Sequence, residues 1–260
     1  MITSYKNPLY LEHLEKGVKP IIACIGTFCD FEMSDSYVPK ILLSDNKTFC
    51  KPYSDNQVQV DDVDYFAKAE DKKNIGSKNY GDRTYVISSI SACDKMTRYL
   101  YDCTSLLVVG REKRTNREVS FLSHQDPYHF LQKGKARRQF IVDLLESLRD
   151  MKTICQDGTI DIIIAGGNYF LDDPDVPYEW KDNSESRESY RNSISLLSKI
   201  VFKIFDFEPL VIVGPKTTPR SDALLFINKS RRLYIARPKV GNTTTESFIP
   251  KEIFFQEEKW

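Results

Sequence analysis

An α+β fold is what this sequence predicts, on three observations. Short apolar runs of strand length outnumber segments with helical period. Two helical-period segments are long enough to cover a sheet. Turn-forming residues punctuate the runs. At 260 residues, with 41% hydrophobic and 28% charged side chains, the chain can bury a substantial core.

Taken in order, the first 90 or so residues are less regular than the rest. Pro20-Ile21-Ile22-Ala23-Cys24-Ile25 reads as a buried strand, and Tyr37-Val38-Pro39-Lys40-Ile41-Leu42-Leu43 as a second. Residues 44–82 are polar, rich in Asp, Lys and Asn, and read as loop and short elements. Regular structure resumes at Arg83-Thr84-Tyr85-Val86-Ile87-Ser88. Two runs then flank a polar turn at 110–117: Cys103 to Val109, and Val119 to His124. Gln139 to Leu148 repeats apolar residues at i, i+3/i+4 and reads as an amphipathic helix. Ile160 to Ala165 is a buried strand that runs out at Gly166-Gly167, and 171–188 is a long polar loop. A second helix is expected from about Tyr190 to Phe205, then a strand from Pro209 to Val213. A hairpin follows, Ala223 to Ile227 and Leu233 to Arg237, turning at 228–231.

Lys+Arg and Asp+Glu both number 37, so no global field favours nucleic acid or an anionic membrane. No apolar run approaches the roughly 20 residues of a membrane span. The first residues lack the basic start and apolar run of a secretory signal, so a cytosol is the expected compartment. Six scattered cysteines without a Cys-x-x-Cys, and only three histidines, favour reduced thiols over disulfides or structural zinc. Neither metal nor cofactor is expected. Gly166-Gly167 fits neither glycine-rich phosphate pattern, and the basic run at 133–138 reads as a solvated helix start.

The chemistry concentrates in Cys103 and His124. A hairpin brings the start of its first strand to the end of its second, so thiol and imidazole meet, which is how cysteine becomes a nucleophile at neutral pH. His129, after Pro127-Tyr128, reads as a solvated loop residue.

Thr97 stands six residues before Cys103, and His124 ends the next strand. Ile164-Ala165-Gly166-Gly167, Arg191-Asn192, Arg220 and a hairpin through Arg237-Pro238 follow in that order. Over roughly residues 84–240 this resembles the CheD chemoreceptor glutamine deamidases and, more distantly, the catalytic domain of the cytotoxic necrotizing factor toxins. The resemblance implies a CheD-like fold, β-sandwich-like mixed sheets flanked by helices. It also implies a catalytic domain over 83–260, with 1–82 as an N-terminal extension packed on it. Cys103 would be the nucleophile, His124 the base and Thr97 its orienting partner. Gly166, Gly167 and Asn192 would contact substrate; the long loop at 171–188, which carries Tyr178 and Trp180, is either a disordered insertion or a substrate-recognition element. The implied activity is deamidation, or transglutamination, of a glutamine side chain on a partner protein. A composition heavy in Lys, Asn and Ile and the extra N-terminal region point to a bacterial effector or toxin reaching a host cytosol. Tyr101-Asp102 stand where the family has small residues. The alternatives are a non-catalytic protein-binding module on this fold, and another Cys-His amidase or protease.

Overall fold

Leu106-Leu107-Val108-Val109 and Phe121-Leu122 are apolar on both alternating faces, the pattern of strands covered on two sides. The computed structural model covers them so. It describes residues 3–6, 13, 15–19, 21–27, 60–63, 78–80, 85–100, 103–131, 133–169, 184–215 and 222–237. Within these, the strands are β1 (Thr3–Lys6), β2 (Ile22–Thr27), β3 (Val60–Val63), β4 (Lys78–Tyr80), β5 (Tyr85–Ile87) and β6 (Asp94–Leu100). They continue with β7 (Thr104–Arg111), β8 (Glu118–Gln125), β9 (Asp161–Tyr169), β10 (Leu210–Pro215), β11 (Asp222–Ile227) and β12 (Arg232–Arg237). The helices are α1 (Pro127–Leu131), α2 (Lys135–Ile154) and α3 (Ser184–Phe205).

The strands form two mixed six-stranded sheets, ordered β1-β2-β12-β11-β6-β3 and β10-β9-β7-β8-β5-β4. Two pairings are parallel, β2 with β12 and β9 with β10, and α3 supplies the crossover between β9 and β10. The protein is thus mixed α+β, with two sheets and two long helices. Residues before 83 supply strands to both sheets: β2 pairs with β12, β3 with β6, and β4 with β5.

Two cores follow from the alternation of side chains along the strands. Leu107, Val109, Leu122, Ile163 and Ala165 face Leu100, Leu224, Phe226, Leu233 and Ile235 of the other sheet. On the opposite face, Leu106, Val108, Phe121, Ile162 and Ile164 pack under Phe140, Leu144 and Leu148 of α2 and Ile194, Leu197 and Val201 of α3. Each such fully buried Val, Leu, Ile or Phe side chain contributes roughly 1.5–3 kcal/mol.

Both helices outrun their sequence expectations. α2 begins at Lys135, inside the basic run read as a helix start and ahead of the periodic segment at Gln139, with Gly134 as an N-cap that makes no side-chain bond and no acid in its first turn. Capping and macrodipole contribute little there, and burial of Phe140, Leu144, Leu148 and Met151 holds the helix. α3 begins at Ser184 within the expected loop. Ser184-Glu185-Ser186-Arg187-Glu188 has no apolar residue to carry a period, but a packed helix propagates through such a stretch at one backbone bond per residue. The expected strand at 37–43 and Tyr101-Asp102 lie outside the described residues.

Lys78 Nζ donates to Asp143 Oδ2 at 3.1 Å and Gln139 Nε2 to Oδ1 at 2.8 Å; Tyr80 OH also donates to Oδ2. Burial pushes the Asp143 carboxyl up, but these hydrogen bonds and the Lys78 charge outweigh it and hold the group below the ordinary carboxylate range. A depressed carboxyl stabilises the fold above its unfolded value of about 4, and that stability is lost as pH falls through the folded value. Thermal unfolding should therefore show an acid loss that Asp143→Asn reduces. An identical acid limb in wild type and variant would remove Asp143 from the account.

Candidate functional site

Ser105 lies directly opposite His124 on β8 and opposite Ala165 on β9. Cys103 is two residues before Ser105, so by strand alternation it shares a face with Ser105 and His124. Its side chain, half-buried, packs against the core between the sheets. Cys103 and His124 are therefore diagonal neighbours on that face, a relation that spans about 7–8 Å between backbones and lies within side-chain reach.

Thr97 comes from the other sheet. It sits on β6 opposite Leu224 and Val60, with its side chain between the sheets. Thr97 Oγ1 and His124 Nδ1 are 2.7 Å apart, a hydrogen bond across the sandwich between two fully buried residues. The expected threonine–histidine pairing is present. β6 itself carried no strand expectation, because Asp94, Lys95 and Thr97 interrupt its apolar residues.

The glycines do more than end a strand. β9 continues through them to Tyr169, and the register against β10 shifts so that Gly166-Gly167 oppose Val213 alone, a β-bulge. Gly166 has φ +91, and a Cβ there would lie 2.9 Å from the Cys103 carbonyl oxygen. The bulge brings β9 against the backbone that carries the thiol. Gly166→Ala should cost about 1–3 kcal/mol through left-handed strain and this collision, and it should change the alkylation rate of Cys103. Unchanged denaturant midpoint and labelling would contradict the close approach.

On the reverse face of the same strand ends, buried Gln125 Nε2 donates to Thr104 Oγ1 at 2.9 Å, and Ser123 Oγ to Gln125 Oε1 at 2.8 Å. From the Cys103 face, Ser105 Oγ donates to the Ser123 carbonyl at 2.5 Å. Sequence reasoning missed this network. Its only signal was polar residues at four positions of otherwise apolar strands, and such residues must find partners when buried.

Other expected site residues are not brought to the trio. Asn192 is exposed on α3, the helix that packs on the opposite face of the sheet from His124. His129 belongs to the helical segment α1, not to a loop; the short helix starts at Pro127, whose fixed φ suits a first turn. Tyr178, Trp180 and Arg220 lie outside the described residues. Cys24 and Cys155 are buried, Cys93 and Cys103 half-buried. Burial pushes the Cys155 thiol up to about 12, so it is a packing residue at neutral pH. Among the described residues no group of three His, Cys, Asp or Glu side chains is placed to hold a metal ion, and no helix is long and apolar enough to cross a membrane.

Fold and site together define a two-sheet α+β protein with a buried Thr–His pair beside a half-buried cysteine. No protein-family model matches the chain, and no curated protein matches its sequence significantly.

Proposed function

We propose that the chain is a cysteine-dependent protein glutamine deamidase of CheD-like architecture. The Thr97–His124 hydrogen bond carries the reading. It fixes the imidazole on the face that Cys103 shares, as an orienting residue fixes the histidine of a triad. In the tautomer whose Nδ1 proton is donated to Thr97 Oγ1, the base function falls to Nε2.

In the proposed reaction, His124 Nε2 takes the Cys103 proton and the thiolate attacks the side-chain amide carbon of a glutamine. The C–N bond breaks, the imidazolium proton leaves with ammonia, and a thioester remains. Water, deprotonated by His124, cleaves the thioester to glutamate and restores the thiol. An amine in place of water would give transglutamination. The Gly166-Gly167 bulge supports the reading by letting a second strand approach the nucleophile's backbone. The order of Thr97, Cys103, His124, Gly166-Gly167 and Arg191-Asn192 supports it independently. A bacterial effector that modifies a host protein, with residues 1–82 as an addition to the catalytic region, completes the proposal.

The test is mass spectrometry of glutamine-bearing proteins incubated with the folded chain. The amide-to-acid mass gain on an intact partner is expected. Cleaved fragments would point to a protease, and no change at any partner to a binding module. Thr97→Val, which keeps the shape and removes the hydrogen bond, should lower kcat about 10²-fold through misplacement of the ring. KM should stay near its wild-type value, and Thr97→Ser should recover most of the rate. Equal rates in Thr97→Val and wild type would remove the orienting role.

A further inference from the structure

A second set of polar groups converges at the opposite end of the β7–β8 hairpin, roughly 24 Å along the strands from Cys103. A cavity of about 390 Å³ opens there, lined by Lys19, Arg111, Arg117, Lys229 and Arg231, with Glu118 the single acid among the described residues of the lining. Glu118 is spoken for. Its Oε1 accepts from Arg111 Nε at 3.0 Å and its Oε2 from Arg231 Nη1 at 2.5 Å. Lys19, Arg117 and Lys229 form no ion pair with any described residue, so the lining carries a positive surplus.

Two residues of this lining also carry a buried atom without a hydrogen-bond partner among the described residues: Arg231 Nε, a donor, and Asn228 Oδ1, an acceptor. Arg231 is 1% exposed and Asn228 2%. The identity of the Asn228 oxygen is settled by its neighbour, because Nδ2 donates to the Cys93 carbonyl. Arg231 is held by the far end of its guanidinium, with Nη2 donating to the Thr159 carbonyl at 2.8 Å. Leaving such groups unmet costs about 1–3 kcal/mol each.

We propose that this cavity is a binding site for a small phosphorylated ligand, seated with its phosphate among Lys19, Arg117, Lys229 and Arg231. A carboxylate or a sulfate supplies acceptor oxygens alone. A singly protonated phosphate supplies acceptors for Arg231 Nε and the lysines together with an O–H for Asn228 Oδ1. The cavity volume lies within the range of small-molecule pockets and exceeds what a bare phosphate fills, so it leaves room for a small polar body such as a sugar. The site is independent of the cysteine chemistry.

Calorimetric titration of the full chain at low and fixed ionic strength tests it, with inorganic phosphate, glucose 6-phosphate and sulfate as probes. Glucose 6-phosphate should bind at least as tightly as inorganic phosphate, and both about tenfold or more tighter than sulfate. Inorganic phosphate binding more tightly than the sugar phosphate would identify the free ion as the ligand and overturn the proposal. Lys229→Glu and Arg117→Glu change exposed residues outside the buried network and should leave the unliganded melting temperature near wild type. Each should weaken phosphate binding about tenfold by charge reversal. Equal sulfate and phosphate affinity, or unchanged phosphate affinity in both variants, would overturn the proposal.

Discussion

Cys103→Ala should lower ammonia release from a glutamine-bearing protein by on the order of 10⁴–10⁶-fold while leaving the fold in place. The size follows from what is removed. A nucleophile and its base act as a unit, and loss of the attacking atom forfeits the covalent route, leaving binding and electrostatics alone. The fold should tolerate the change because Cys103 is half-buried, just before β7, and the exchange deletes one sulfur at the margin of the inter-sheet core. The expected cost is about 1 kcal/mol or less. Cys103→Ser should be nearly as inactive, since a hydroxyl is a far weaker nucleophile at neutral pH than a thiol assisted by imidazole. Activity and melting temperature are measured together. An unaltered rate with an unaltered fold would move the protein to the binding-module reading, and the Thr97–His124 bond would then be structural.

The largest expected stability effect belongs to Arg231→Met, at about 3–5 kcal/mol. Arg231 occupies a left-handed conformation (φ 52) after the short 3-10 turn Asn228–Ser230, which aims its side chain into the protein. There Nη1 meets Glu118 and Nη2 meets both Asp161 and the Thr159 carbonyl. Asp161 is fully buried. Its Oδ2 also accepts from the Ile21 N–H at 3.3 Å, and its Oδ1 lies 3.1 Å from His13 Nε2. One guanidinium thus ties the β11–β12 turn to β8, β9 and the segment leading into β2. Methionine would fill comparable volume but leave Asp161 in a low-dielectric interior without its principal counter-charge, and that desolvation sets the cost. Denaturant unfolding of Arg231→Met, Asp161→Asn and the double variant measures it. The double variant should be less destabilised than the sum of the singles, because neutralising Asp161 removes the stranded charge. Strict additivity, or a cost below 1 kcal/mol for Arg231→Met, would show that the network is decoration.

Legibility in the sequence tracks how local the physics is. The β7–β8 and β11–β12 hairpins appeared where expected because apolar runs and turn residues both sit within about ten positions. The start of α3 did not, since its polar first turn carries no period, while its end at Phe205 and the start of α2 inside the basic run fell where expected. Gly166-Gly167 read as the end of a strand because paired glycines ordinarily break one; a bulge needs the partner strand β10 to be seen. Arg231 was invisible as a keystone. Nothing near it in the chain says that Asp161, 70 residues away, will be buried beside it.

The sequence by itself determined the α+β class, the two main hairpins, the cores of both long helices and the nomination of Thr97, Cys103 and His124. Each rests on periodicity, on turn chemistry or on the short list of side chains able to do nucleophilic work, except Thr97, which only the resemblance to the CheD family nominates. The tertiary structure alone decided that Thr97 reaches His124 from the opposite sheet and that Gly166 abuts the Cys103 backbone. It alone placed Asn192 on the helix-covered side, away from the trio. These outcomes depend on which sheet faces which, and that is set by burial of two separate apolar faces across the whole chain, a quantity no local stretch of sequence contains.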